Sequence, residues 1–304
     1  MREIVVLSGK GGTGKTSISA ALASCGPPKV LADCDVDAAD LHLILEPNVI
    51  QIHDFVSGEA PSVNVSACTA CGLCIEKCRF HAMDADAEGK AVVQPEMCEG
   101  CGLCAYVCPC EAIAMVPQKC GVWYDSETRH GPMIHAALDI GAENSGKLVT
   151  TVRQRSGRVA EHRSIDVVLT DGPPGIGCPV IASLTNADLA LIVTEPTRSA
   201  EHDLARIADL AAHFDIPAAV LVNKEDVNPE LAQSVASFCR SRGLMFLGAV
   251  PYDPAFNQAQ LAGQTIVEYA PDMYRLFFEH MWKRLLGETG YSPQFSTDSK
   301  SQPS

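Results

Sequence analysis

Positive charge is scarce in this chain. Its 304 residues carry 23 lysines and arginines against 37 aspartates and glutamates, a formal net charge of −14. A surface with that balance is poorly suited to binding nucleic acid by neutralising phosphates, so no nucleic-acid partner is expected. Long apolar runs are missing too. No stretch approaches the roughly 20 residues that span a bilayer, and no membrane partner is expected. The opening Met1-Arg2-Glu3-Ile4-Val5-Val6-Leu7 reads directly as a strand. It lacks the charged lead, apolar core and small-residue cleavage site of an export signal. The one conspicuous excess is cysteine, 14 residues in all. Such a count means disulfides in a small secreted protein, but in a chain this long without a leader it points to metal ligation in a reducing cytoplasm.

Apolar strands and helices alternate over most of the length. Strands are expected at Ile4–Leu7, Lys29–Ala32, Val167–Thr170, Ala190–Thr194, Ala219–Val222 and Met245–Val250. Helices are expected from Lys15 to about Ala23, and again where Asn228 caps and Pro229 opens a segment that Gly243 closes. The alternation predicts an α/β fold with a doubly wound, mainly parallel sheet. The pattern breaks after Leu45, and Ser57-Gly58 to Pro61 reads as a hinge into a cysteine-dense insertion. The expected domains are therefore residues 1–60 with 118–289, an insertion at 61–117, and a polar, disordered tail at 290–304.

Gly9-Lys10-Gly11-Gly12-Thr13-Gly14-Lys15-Thr16 satisfies G-x4-G-K-[ST], between a strand and a helix that continues with Ser17. The glycines allow backbone N–H groups to wrap phosphates, Lys15 reaches the β/γ-phosphates, and the Thr16 hydroxyl ligates Mg²⁺. The early Lys10, giving K-G-G-T-G-K-T, resembles the deviant Walker A motif of the MinD/ParA/Mrp ATPases and of nitrogenase reductase. That resemblance implies an ATP- and Mg²⁺-dependent P-loop ATPase acting as a homodimer, or as a heterodimer with a related ATPase, in which Lys10 reaches the partner's nucleotide. It further implies that Asp35, in Asp33-Cys34-Asp35, orients the attacking water while Asp33 assists at the phosphate site. Asp171, in Asp171-Gly172-Pro173-Pro174-Gly175, would hold Mg²⁺ through water. Asn223 would read adenine, flanked by Pro251 and Tyr252.

Cys68, Cys71, Cys74 and Cys78 recur thirty residues on as Cys98, Cys101, Cys104 and Cys108, the last followed by Pro109. Four thiolates also suit tetrahedral zinc, but a zinc ribbon separates its two pairs by a longer loop. Two tight runs of C-x2-C-x2-C-x3-C resemble bacterial two-cluster ferredoxins. The resemblance implies a small α+β ferredoxin domain with two [4Fe–4S] clusters, one held by Cys68, Cys71, Cys74 and Cys108, the other by Cys98, Cys101, Cys104 and Cys78. Arg79 stands where the second run has its proline, a cation that would favour the reduced form of a nearby cluster. Of the remaining cysteines, Cys178 lies seven residues after Asp171, the offset of a subunit-bridging cluster ligand in nitrogenase reductase. A bridging cluster through Cys178, with or without Cys120, competes with a buried-thiol reading.

Trp123–Lys147, with His130, His135 and the turn Glu143-Asn144-Ser145-Gly146-Lys147, reads as a strand-turn-strand over the sheet. Tyr274, Phe277, Phe278, Met281, Trp282 and Leu285 recur at helical spacing, a face expected to dock on the sheet instead of a membrane. The leading functional expectation is ATP hydrolysis coupled to low-potential electron transfer with a redox partner. The alternatives are an iron–sulfur carrier serving apo-acceptor proteins and a redox-sensing spatial switch of the MinD/ParA kind.

Overall fold

The structure is a computed structural model, and it describes residues 1–142 and 145–287. The expected tail at 290–304 and the turn residues Glu143 and Asn144 lie outside the described residues. In chain order the strands are β1 (Arg2–Ser8), β2 (Val30–Asp33), β3 (Asn48–Val63), β4 (Met83–Ala85), β5 (Ala91–Val93) and β6 (Ile113–Thr128). They continue with β7 (Gly131–Leu138), β8 (Val167–Pro174), β9 (Leu189–Thr194), β10 (Ala218–Asn223) and β11 (Met245–Val250).

The chain divides into two compact units. The first comprises Met1–Ile52, Trp123–Ala137 and the chain from Ser145 onward. The main sheet has the order β11-β10-β9-β1-β8-β2-β7-β6-β3. From β11 to β7 every neighbouring pair is parallel. Parallel strands need helical crossovers that cover both faces, so the inner strands read as continuous apolar runs. In β1, Ile4 and Val6 join one core with Leu22, Leu41 and Trp282, while Val5 and Leu7 join the other with Leu204 and Ile207. This is the α/β, mostly parallel architecture expected.

The helix Pro271–Leu285 buries all six of its predicted face residues. Trp282 donates its indole N–H to the Leu22 carbonyl at 2.9 Å, and Lys29 sits over its ring. Large side chains so buried contribute about 1.5–3 kcal/mol each, which fixes this helix against the first core. Among the described residues no helix is long and apolar enough to cross a membrane.

Two local expectations give way. Ser57-Gly58 to Pro61 is not a hinge, because β3 runs through it as a 16-residue strand. Its β-favouring residues Val49, Ile50, Ile52, Phe55 and Val56 outweigh the turn residues, and Gly58 takes a positive φ of 75° within the strand. Ser145–Lys147 open a 19-residue helix, Ser145–Arg163. The segment before it is indeed strand-turn-strand, but β7 is a member of the sheet beside β2, not a cover over it.

The second unit comprises His53–Val122 and a short segment beginning at Leu138, wider than the expected 61–117. Two short helices, Leu73–Lys77 and Leu103–Tyr106, follow Gly72 and Gly102, each at φ 74°. β4 and β5 pair antiparallel, and Asp86 closes their turn by accepting N–H bonds from Glu88 and Lys90. Cys74, Met83, Ala91 and Ile113 form a small core with Cys68, Cys78, Cys104 and Cys108 packed against it.

Candidate nucleotide site and cysteine cavities

The carboxyl ends of β1, β2, β8, β9, β10 and β11 supply the polar residues of the first unit, where parallel sheets place their ligand sites. β1 ends at Ser8, and the loop that follows enters the helix Lys15–Ala23 through Gly14, whose φ is 90°. Glycine is required there twice over. The conformation is left-handed, and a Cβ would strike the amide nitrogen of Asn223. That same amide donates to the Thr13 carbonyl at 2.8 Å, and Lys224 donates to the Gly12 carbonyl at 2.8 Å. With the Gly12 and Thr13 carbonyls engaged by Lys224 and Asn223, the loop presents a helix N-terminus, a natural anion site.

A cavity of about 370 Å³ opens at this end, lined by Gly11–Ser17, Asp35, Asn223, Pro251 and Tyr252. Its size falls in the lower part of the range for small-molecule sites. Gly9 and Lys10 lie outside its lining. Thr13 is 1% exposed, and its hydroxyl is among the described buried side-chain atoms with no hydrogen-bond partner. An orphaned donor in a phosphate loop fits a nucleotide oxygen.

Lys15 is the charge at the centre. Its ammonium lies 2.9 Å from Asp171 and 3.6 Å from Asp35. Burial opposes its charge, but Asp171, Asp35 and Asp33 outweigh burial and raise its pKa. Thr16 donates to one Asp171 oxygen at 2.9 Å, and Ser19 donates to the other at 2.6 Å. Because the Thr16 proton is committed to Asp171, its lone pairs remain for a cation. Burial pushes the Asp35 carboxyl up to about 6, Lys15 pulling it down and Asp171 adding to the rise. Asp33 is fully buried and accepts the backbone N–H groups of Asp35 and Leu41. Burial, reinforced by Asp171, raises it well above the usual carboxylate range. Three carboxylates around one ammonium are short of positive charge, which suits Mg²⁺.

Lys10 turns back onto its own chain. It pairs with Glu195 at 2.7 Å and donates to Ser199 at 3.3 Å. Glu195 also pairs with Lys224 at 3.3 Å. Sequence reasoning passed over Glu195, Ser19 and Lys224. Ser19 was recoverable, since it stands one helical turn after Thr16 on the same face. Glu195, just beyond the end of β9, carried no local signal.

The second unit holds two further cavities. Cys68, Cys71, Cys74 and Cys108 line one, together with Cys110. Cys78, Cys98, Cys101 and Cys104 line the other. Each set joins three cysteines of one run to the fourth of the other. Among the described residues no three His, Cys, Asp or Glu side chains form a group that could hold a metal ion. Zinc needs four ligands meeting at one point, and these cysteines do not meet so; an iron–sulfur cube would instead take thiolates spaced around it. Cys178 is exposed at the start of the helix Cys178–Leu184, and the buried Cys120 thiol donates to the Ser57 carbonyl.

Residues 4–266 match the family described as the CobQ/CobB/MinD/ParA nucleotide binding domain. An uncharacterised protein of Methanocaldococcus jannaschii is 33% identical over 229 residues, covering 74% of this chain and 79% of that one. An iron–sulfur cluster carrier protein of Pyrococcus abyssi is 25% identical over 284 residues, covering 88% of this chain and 79% of that one. In solved structures, the MinC:MinD cell division complex of Aquifex aeolicus contains a chain similar in fold. Its TM-score is 0.57 at 18% identity, over 97% of this chain and 100% of that one.

Proposed function

The chain belongs to the CobQ/CobB/MinD/ParA nucleotide-binding family and is a P-loop ATPase, and from that premise we propose that it couples Mg-ATP turnover to low-potential electron transfer through two [4Fe–4S] clusters. One observation carries the reading: a single chain combines a phosphate loop backed by Lys15, Asp35 and Asp171 with two cavities, each lined by at least four cysteines. Cysteine sets drawn crosswise from two tight runs support cubes over zinc. In this reading Cys68, Cys71, Cys74 and Cys108 hold one cluster, and Cys98, Cys101, Cys104 and Cys78 the other. The clusters supply one-electron chemistry when bound.

In the nucleotide site the Gly11–Gly14 backbone and Lys15 hold the phosphates, and Thr16 with Asp171 orders the magnesium shell. Asp35, ionised above pH 6, accepts a hydrogen bond from the attacking water and aims it in line. Asn223 selects the base, with Pro251 and Tyr252 alongside. Lys10 leaves Glu195 to meet a second subunit's nucleotide, so the working form is a dimer. The cysteine-rich segment lies on the chain between Asp35 and Asp171, a position that lets either site bias the other.

The Pyrococcus abyssi relative favours a second reading, in which the same cysteines carry clusters to apo-acceptor proteins. The experiment is ATP turnover by anaerobically prepared protein with its clusters oxidised and then reduced, using Cys98→Ser as the cluster-deficient control. A redox-dependent rate that vanishes in the control establishes the coupling. A rate indifferent to redox state, with clusters passing to an apo-ferredoxin, moves the carrier reading ahead.

A further inference from the structure

The doubling of the cysteine motif supplies its own internal control. Aligning Cys78 with Cys108 places Arg79 against Pro109 and Phe80 against Cys110. The two fourth cysteines are locally alike: Cys78 accepts the N–H of Ala82, and Cys108 that of Ala112, both at 3.3 Å. Their second neighbours differ in kind. Phe80 lines the cavity of Cys78, Cys98, Cys101 and Cys104. Cys110 lines the cavity of Cys68, Cys71, Cys74 and Cys108. One cavity therefore has four thiols and an aromatic ring, the other five thiols. Cys110 Sγ lies 3.7 Å from Cys108 Sγ and receives the Thr69 hydroxyl at 3.8 Å. The two sulfurs touch, and both residues line the same cavity.

We propose that Cys110 is an alternative fourth ligand of the first cavity, taking the place of Cys108, so that this site holds its cluster exchangeably while the second holds its own through one fixed set. The inference rests on the two-cluster reading. The exchange needs no oxidant or reductant. Cys110 gives up its thiol proton as its sulfur bonds to iron, and Cys108 leaves that iron and takes up a proton. A thiol in reserve lowers the cost of opening one corner, because the departing sulfur is replaced as it leaves. The first site is thereby suited to handing over or accepting a cluster, and the second to keeping one.

The test is iron and acid-labile sulfide per chain after anaerobic reconstitution, with alkylation of Cys110 by iodoacetamide mapped on the loaded protein. Wild type and Cys110→Ala should each retain about eight irons, Cys108→Ala about eight, and the Cys108→Ala/Cys110→Ala double variant about four. Cys78→Ala should fall to about four, and adding Phe80→Cys to it should restore about eight by transplanting the spare thiol. Cys110 should alkylate in loaded wild type and be protected in loaded Cys108→Ala. The inference is overturned if Cys108→Ala falls to the double variant's level, if Phe80→Cys restores nothing, or if Cys110 alkylates equally in both. A wild type that takes up no iron fails at the cluster reading itself, and the inference falls with it.

Discussion

Replacing Asp35 with asparagine should make the nucleotide-free protein more stable at alkaline pH while removing most of its ATPase activity. Burial is the main cause of the raised Asp35 pKa, from 3.8 to about 6, with Lys15 opposing and Asp171 reinforcing. At about 1.4 kcal/mol per pH unit, ionised Asp35 is roughly 3 kcal/mol costlier in the folded protein than in the unfolded chain. The sign follows from a folded value above the unfolded one. Asp35 favours the fold fully below about 3.8, and that favour is lost as pH rises through about 6. Asparagine keeps the shape without the charge. The variant should therefore gain up to about 3 kcal/mol at pH 8, the gap narrowing to about half by pH 5. Urea unfolding of both proteins between those values measures it. Turnover should fall by about 10² or more through loss of the water's acceptor. A variant less stable at pH 8, or a gap equal at pH 5 and pH 8, refutes the reasoning.

Lys15→Ala should abolish ATP binding by calorimetry and leave Asp171 buried without its cation, at a cost of roughly 3–5 kcal/mol in unfolding; ordinary ATP affinity in this variant would remove Lys15 from the site. Lys10→Ala should bind ATP with wild-type affinity yet fail to dimerise with it by sedimentation, whereas Glu195→Gln, freeing the lysine, should dimerise at lower ATP; equal behaviour of the three proteins argues against a contact in trans. Asn223→Ala should lose about 1 kcal/mol from the Thr13 bond and narrow the preference for ATP over GTP, and unchanged discrimination excludes Asn223 from reading the base.

Features governed by near neighbours were legible before any coordinates. The Asn228 side chain accepts the Leu231 N–H at 3.1 Å, and Gly243 ends the same helix at φ 67°. The phosphate loop was equally plain, because its mechanism needs fixed residue types at fixed spacing. What escaped depends on partners distant in sequence. The helix Ser145–Arg163 buries only Leu148, Val149, Val152, Ser156 and Ala160, a stripe too thin and polar to announce a helix. Within β3, pairing prevails over the local turn preference of Ser57-Gly58 and Pro61. Glu195 acquires its role only when β9 is laid beside β1 and Lys10 comes within reach. Cys110 was visible in the sequence but had no role until the loop placed it at the rim with Cys108.

Lys15 links the stability of the first unit to its chemistry. Without nucleotide it is the main counter-charge for Asp171, Asp35 and Asp33, which together outweigh its burial. Phosphates compete for the same ammonium, so nucleotide binding draws charge away from Asp171, whose two oxygens keep only the Thr16 and Ser19 hydroxyls. A divalent cation beside Thr16 restores the balance, which is a physical reason for magnesium and nucleotide to bind together. The burial that makes Asp35 a burden to the empty fold also holds it at the cavity wall, where the proposed hydrolysis would need an acceptor for water.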